Sequence, residues 1–240
     1  MSVRAPRRAA TTPAVVGIAA LALTAGCVPT LGRDTPSSST TAEAGGRGQL
    51  TEEQLRSVLP ADDQPPSGFT LDTSESEGPD PDSTTYPAVC DDVRLQGTTA
   101  DDLEEHKVAS AEKSYVGENG RGVLSVKVTS YDEPVPEALF DDAGQALSRC
   151  STFKIIDRYG TTDWKLDPVS LQPAGDRTWS IRVQNTTEGD PFGGGVVQVA
   201  SASLGNNRVH VVQSAGEAST YRSEAVEQLV GATVAELEAL

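Results

Sequence analysis

The chain has 240 residues, with 19 Lys and Arg against 35 Asp and Glu, for a net charge of −16 at pH 7. A surface this acidic repels nucleic acid and anionic lipid headgroups, which argues against both as partners. With 3 Cys and 2 His in all, a side-chain metal centre has few donors to draw on.

No acid occurs before Asp34, and Arg4, Arg7 and Arg8 form a basic start ahead of an almost wholly apolar stretch from Pro13 to Leu23. A permanent membrane-crossing helix needs about 20 apolar residues, so residues 1–26 read as a signal peptide that is cleaved on export. Small residues stand directly before a cysteine in Leu23-Thr24-Ala25-Gly26-Cys27. That arrangement resembles the bacterial lipobox, departing from it at Thr24, where the family usually has Leu. The resemblance implies that the Cys27 thiol receives a diacylglyceryl group and that cleavage makes Cys27 the new N-terminus. Fatty-acyl chains such as palmitate would then hold the product on the extracytoplasmic face of the cell membrane. Each buried methylene contributes about 0.8 kcal/mol, so two or three chains anchor durably where one does not. The competing reading is an ordinary secretory signal with Cys27 as an incidental thiol. Arg7-Arg8 is followed by Ala9-Ala10-Thr11 and lacks the apolar residues that follow the pair in twin-arginine signals. Losing residues 1–26 removes three arginines and no acid, which takes the net charge to −19.

With Cys27 committed to lipid, Cys90 and Cys150 remain, and in an exported protein a disulfide between them is the economical reading. Such a bond closes a loop of about 60 residues and stabilises by about 4 kcal/mol in the chain-entropy model. Two buried free thiols are the alternative.

Residues 27–49 hold Pro, Ser, Thr, Ala and Gly with hardly any large apolar side chain, including Ser37-Ser38-Ser39-Thr40-Thr41. Such a composition does not offset chain entropy by burial, so it predicts a flexible tether spanning about 25 Å. The folded domain is predicted over 50–240. Thr51 and Gln54 form a capping box, with Leu50 and Leu55 placed as a hydrophobic staple, so a helix runs from Glu52 to about Val58 and stops before Pro60. Residues 60–85 carry Pro65-Pro66, Pro79 and Pro81 among many acids and predict an irregular loop, with a short extended piece at Phe69 to Asp72.

Strands begin after Lys107. Val108–Val116 and Val123–Tyr131 flank Gly117-Glu118-Asn119-Gly120, and the second sets Val123, Ser125 and Lys127 against Leu124, Val126 and Val128, a hairpin with one face buried. A helix follows from about Pro136 to Cys150, with Leu139, Ala143, Ala146, Leu147 and Cys150 on one face. Five strands are predicted at 153–159, 163–171, 177–185, 196–204 and 208–214, divided by Gly160, Pro173-Ala174-Gly175, Gly193-Gly194-Gly195 and Gly205-Asn206-Asn207. Connections this short make neighbouring strands antiparallel. The chain from Ala218 closes as an amphipathic helix on which Tyr221, Val226, Leu229, Val230, Thr233 and Leu237 share a face. The predicted fold class is α+β, a single antiparallel sheet of about six to seven strands with the two main helices on one face.

Catalytic and cofactor patterns are sparse, and no cofactor is expected. His106 lies in an acidic segment and His210 in a strand, where it takes the sheet face opposite Val209 and Val211. Neither has metal-ligand spacing, and a surface or groove histidine is the favoured reading of His210. No serine lies in a Gly-x-Ser-x-Gly elbow. Gly193–Gly195 precedes a strand and reads as a turn, not as a phosphate cradle. Asp101-Asp102-Leu103-Glu104-Glu105 lacks the ligand order of a calcium loop and reads as a solvated helical face. Asn185-Thr186-Thr187 fits a glycosylation acceptor by coincidence only, since a lipobox chain is bacterial. Trp164, Trp179, Tyr115, Tyr131 and Tyr159 fall on or beside predicted strands, where packing under a helix is the expected role and lining a ligand groove the minority one.

Leu59-Pro60 with Pro66-Ser67-Gly68-Phe69, then Cys90, a hairpin, a helix ending at Cys150, four or five strands and a closing helix form a recognisable order. Over most of residues 50–240 it resembles the extracytoplasmic sensor domain of actinobacterial PknH-type serine/threonine kinases and the free-standing lipoproteins that carry the same module. The resemblance implies a curved antiparallel sheet, two flanking helices and a cleft for an extracellular ligand. Those kinase domains tend to carry two disulfides where this chain can form one, and their tryptophan before the helix-terminal cysteine is absent from Gln145 to Arg149. No ligand-contacting residue is carried over.

The expected function is a lipid-anchored, extracytoplasmic binding or sensing module without catalysis, its partners being the membrane through the anchor and an unknown small ligand. The alternatives are an accessory lipoprotein that docks to an envelope protein, and a hydrolase using Asp157, Asp163 or Asp167 near a turn.

Overall fold

The computed structural model describes residues 47–74, 83–117, 120 and 122–240. The signal peptide, Cys27 and most of the tether lie outside the described residues, as do Glu118 and Asn119 of the first hairpin. Helix α1 covers Glu52–Ser57 and opens on the predicted capping box: Gln54 N–H donates to Thr51 Oγ1 at 3.3 Å and Thr51 N–H donates to Gln54 Oε1 at 2.9 Å. Two three-residue strands follow, β1 at Phe69–Leu71 and β2 at Thr84–Tyr86. Helices α2 at Cys90–Val93 and α3 at Thr98–Glu105 precede the long hairpin of β3, Lys107–Gly117, and β4, Val123–Tyr131. After α4, Ala138–Leu147, come β5 at Thr152–Asp157, β6 at Gly160–Pro168, β7 at Arg177–Asn185, β8 at Val196–Leu204 and β9 at Asn207–Ala215. A 3-10 turn at Ala218–Thr220 leads into α5, Ser223–Glu238.

All nine strands join one antiparallel sheet in the order β1-β3-β4-β9-β8-β7-β6-β5-β2. The α+β class holds, with two corrections to the predicted layout. The sheet has nine strands, because β1 and β2 are too short to show a period in the sequence and are recruited as edges by Tyr115 to Gly117 and by Lys154 to Ile156. The two long helices do not share a face. Helices α1 and α5 cover one side, where Tyr115, Leu124, Val126, Val128, Val209 and Val211 are buried together with Leu229 and Val230. Helices α2, α3 and α4 sit on the other, at the β5–β6–β7 end and across Tyr131, because Phe153, Leu166, Ile181 and Val183 make that face apolar as well.

The predicted disulfide joins Cys90 at the start of α2 to Cys150 just past α4, with Cα atoms 5.4 Å apart. It holds both helices in the apolar cluster of Ala146, Phe153 and Ile181. The folded segment begins earlier than residue 50. Arg47 pairs with Asp176, its carbonyl accepts from Asn206 N–H at 2.8 Å, and Gly48 O accepts from Asn207 Nδ2 at 2.8 Å. Gly205 turns this β8–β9 connection at φ +57°, and a side chain there would collide with the Arg47 backbone, so the turn and the incoming chain fit only around glycine.

Candidate ligand groove

Alternation along β4 decides what each face offers. Leu124, Val126 and Val128 are fully buried beneath α1 and α5, whereas Ser125 and Lys127 point to the other face and stay half-buried. Register carries the pattern across the sheet: Lys127 pairs with His210, Ser125 with Val212, and Val212 with Val199. No helix caps this central part of the second face, and the link from α2 to α3 overhangs it. The result is a groove of about 480 Å3 with an apolar floor of Val197, Val199 and Val212, an aromatic end at Phe153 and Trp164, and a polar margin of Arg94, Gln96 and Lys127. A second hollow of about 390 Å3 lies beneath α3 and adjoins the first at Gln96, Lys127 and His210, giving a channel in two parts. Both volumes fall in the range of about 300–1,000 Å3 usual for small-ligand sites.

Each cation of the groove has a different setting. Arg94 donates from Nη1 to Thr85 Oγ1 at 2.7 Å, lies 3.6 Å from Asp91 and stands over the Phe153 ring at 5.8 Å. Arg208 is almost fully buried, donating from Nε to Ser201 Oγ at 3.0 Å and approaching His210 Nδ1 with Nη2 at 3.4 Å. Because a guanidinium only donates, that contact makes Nδ1 the acceptor and leaves the imidazole proton on Nε2. Burial first, then the charges of Arg208 and Lys127, push His210 down to about 3, so it is a neutral ring at neutral pH. Lys127 makes no ion pair among the described residues.

The overhang contains a backbone outlier. Leu95 adopts φ 57° while buried at 3% exposure, a left-handed conformation that a side chain with a Cβ adopts at a cost of about 1–3 kcal/mol. It is fixed by Leu95 N–H donating to Asp92 O at 2.9 Å and by its burial beside Leu103 and Tyr131. Its consequence is that Gln96 reaches the groove at the end of a rigid link.

The structure separates the residues singled out in the sequence. His210 lines the groove, as favoured. Trp179 packs between α2 and α4 and donates from Nε1 to Val93 O at 3.0 Å, while Tyr115 and Tyr131 are buried. Trp164 takes the minority role, half-buried in the groove wall 6.5 Å from Phe153 with the rings 13° from parallel. Tyr159 is 81% exposed, because it follows the β5 strand into its turn and has no helix above it. His106 sits away from the groove, with Nδ1 2.8 Å from Asp132 and Nε2 3.7 Å from Glu133, and the Asp132 contact raises its pKa. Asp157 accepts from Tyr159 and Gly160 N–H groups in the β5–β6 turn, Asp163 pairs with Lys154 at 2.5 Å, and Asp167 pairs with Arg182 at 3.2 Å. Asp163 and Asp167 alternate with Trp164 and Leu166, so they face away from the groove. Burial pattern in the sequence could have flagged Val197 and Val199, which are apolar on the face opposite Ala200 and Ala202. Nothing in the sequence marked Arg94 or Gln96, which sit between the unanticipated α2 and α3, of which only Asp101–Glu105 read as helical.

No protein-family model and no curated protein matches the chain. Among solved structures it is similar to the extracellular domain of PknH from Mycobacterium tuberculosis, at 14% identity and a TM-score of 0.57, over 81% of this chain and 100% of that one. It is also similar to a Rv0999 ortholog from Mycobacterium smegmatis, at 18% identity and a TM-score of 0.41, over 78% of this chain and 94% of that one. The fold is thus that of a PknH-type extracellular sensor domain. Among the described residues, no helix is long and apolar enough to cross a membrane.

Proposed function

We propose that the chain is a lipid-anchored, extracytoplasmic ligand-binding lipoprotein that works without catalysis, tethered to the cell membrane through Cys27 and residues up to Arg47. The sensor-domain fold and the lipobox support the placement. The single observation that carries the binding role is the groove: an apolar floor, one stacked aromatic pair and a few convergent polar groups on the central part of a sheet face, which no helix among the described residues covers.

The anchor is tested by mass spectrometry of the processed protein, where a diacylglyceryl-modified Cys27 at the N-terminus is expected and an unmodified thiol overturns it. The binding role is tested on the chain carrying Cys27→Ser, which escapes acylation, by a thermal-shift screen of envelope glycans, peptides and lipids. A hit should raise the melting temperature in proportion to the logarithm of its concentration. Val199→Trp, which fills the groove floor, should abolish the response. Hits that survive Val199→Trp, or a screen with none, overturn the groove reading.

A further inference from the structure

We infer that the groove takes a single-chain lipid acid, its carboxylate or phosphate held at Lys127 and its hydrocarbon body laid across the strands toward Trp164. This deepens the ligand-binding reading above and rests on it. From Lys127 on β4 the floor crosses β9, β8, β7 and β6 to Ile155 on β5, five strand spacings or about 24 Å. Across that path the groove-facing side chains are Val212, Val199, Val183 and Trp164, so the occupant's body is elongated and apolar over most of its length.

Charge selects the head. The chain as a whole is strongly acidic, yet this face sets Lys127 and Arg208 together at the β4–β9 end of the channel, while Arg94 stands at the other end over Phe153 beside Asp91. Asp91 is the acidic neighbour of Arg94; those of Lys127 and Arg208 are Glu112, which faces Lys127 across β3 and β4, with Asp101 and Glu104, and these three are exposed at the rim. Glu104 is also engaged by Lys107 at 3.7 Å and by Tyr131 Oη at 3.3 Å. Arg94 already has Thr85 and Asp91 beside it and Arg208 has Ser201 and His210, whereas Lys127, a partly buried residue, has no ion pair among the described residues and three ammonium donors to offer. An anionic head forms charge-assisted hydrogen bonds to that ammonium, which a neutral head does not. His210, neutral and bonded to Arg208, adds a dipolar wall without a competing negative charge. The negative field of the rest of the surface opposes approach to an anionic bilayer, so the occupant is a lone amphiphile inside the channel and not a membrane face.

The test titrates dodecanoate and 1-dodecanol, each below its aggregation concentration, into the Cys27→Ser chain and follows tryptophan fluorescence and calorimetric heat. Dodecanoate should bind at least tenfold more tightly than dodecanol, and acetate should give no signal. Lys127→Gln should weaken dodecanoate at least tenfold and leave dodecanol unchanged, while Val199→Trp should block both. Equal affinity for acid and alcohol, or an acid affinity indifferent to Lys127→Gln, overturns the anionic head. A screen hit that is a glycan or a peptide and is blocked by Val199→Trp, with dodecanoate silent, overturns the lipid acid while the groove still binds. Silence of dodecanoate together with hits insensitive to Val199→Trp removes both readings.

Discussion

The two faces of the central sheet are built from the same strands and have opposite chemistry. On one, Leu124, Val126 and Val128 are sealed by α1 and α5; on the other, one residue along in each case, Ser125 and Lys127 stand over a channel. A strand alternates its side chains, so a nine-residue segment can serve a core and a site at once. The difference teaches that one face was composed to be covered and the other to be left open in the middle. The covering helices α2, α3 and α4 are confined to its margins, and the disulfide ties α2 to the end of α4 there.

Substitutions on the two faces should therefore separate. Leu124→Ala removes a fully buried side chain under α5 and is expected to cost about 2–5 kcal/mol of unfolding free energy. Val212→Ala on the groove floor loses part of a half-buried side chain and should cost about 1 kcal/mol. Urea midpoints at unchanged m-value check both, and equal losses would mean the groove face is an ordinary core. Next in size is the disulfide. Cys90→Ser combined with Cys150→Ser frees a 60-residue loop and is expected to cost about 2–4 kcal/mol. A loss under about 1 kcal/mol would show that apolar packing alone holds α2 and α4 in place.

The covered face was the legible one. Its valines and leucines recur at period two along β4 and β9 and at helical spacing along α5, so strand limits at Val123–Tyr131, Arg177–Asn185 and Val196–Leu204 follow from pattern alone. The open face was legible only in part. His210 could be placed on it by its flanking valines, but α2 and α3 span four and eight residues, too few for periodicity to speak, and β2 is fixed by pairing with β5 and not by its own composition. With α2 and β2 unseen and α3 read only as a solvated face at Asp101–Glu105, Arg94 and Gln96 had no address, and α4 was assigned to the face that α5 occupies. Trp164 shows the same limit: strand propensity places an aromatic on a sheet face, and only the absence of a helix above it makes that face a site.

Smaller effects sharpen the contrast through charge. The folded pKa of His210, about 3, lies below the ordinary 6.5, so the folded state holds a neutral ring where the unfolded chain takes up a proton. Its contribution is then complete above pH 6.5 and is lost progressively as pH falls toward 3, by about 1–2 kcal/mol between pH 7 and 5. His106 has the opposite sign: its pKa is raised by Asp132, so its support is present at low pH and lost as pH rises past the ordinary value. Unfolding measured between pH 7 and 5 should flatten in His210→Gln and not in His106→Gln, and an unchanged slope in His210→Gln would place that ring in a wetter setting than its contacts suggest.

The smallest expected effect concerns Lys127, and its sign carries the argument. If the open face existed for stability, an ammonium with no ion pair among the described residues, lining the same hollow as Arg208, would be a poor choice, since like charge works against it. Lys127→Met keeps the length of the side chain, removes the charge and extends the valine floor, so it should raise stability by about 0.5 kcal/mol while weakening any anionic ligand. A gain in urea midpoint with a loss of dodecanoate affinity would mark Lys127 as a residue kept for binding at the expense of the fold. A fall of more than about 1 kcal/mol would instead assign its ammonium to the structure, through a bond to the α2–α3 link that closes the channel.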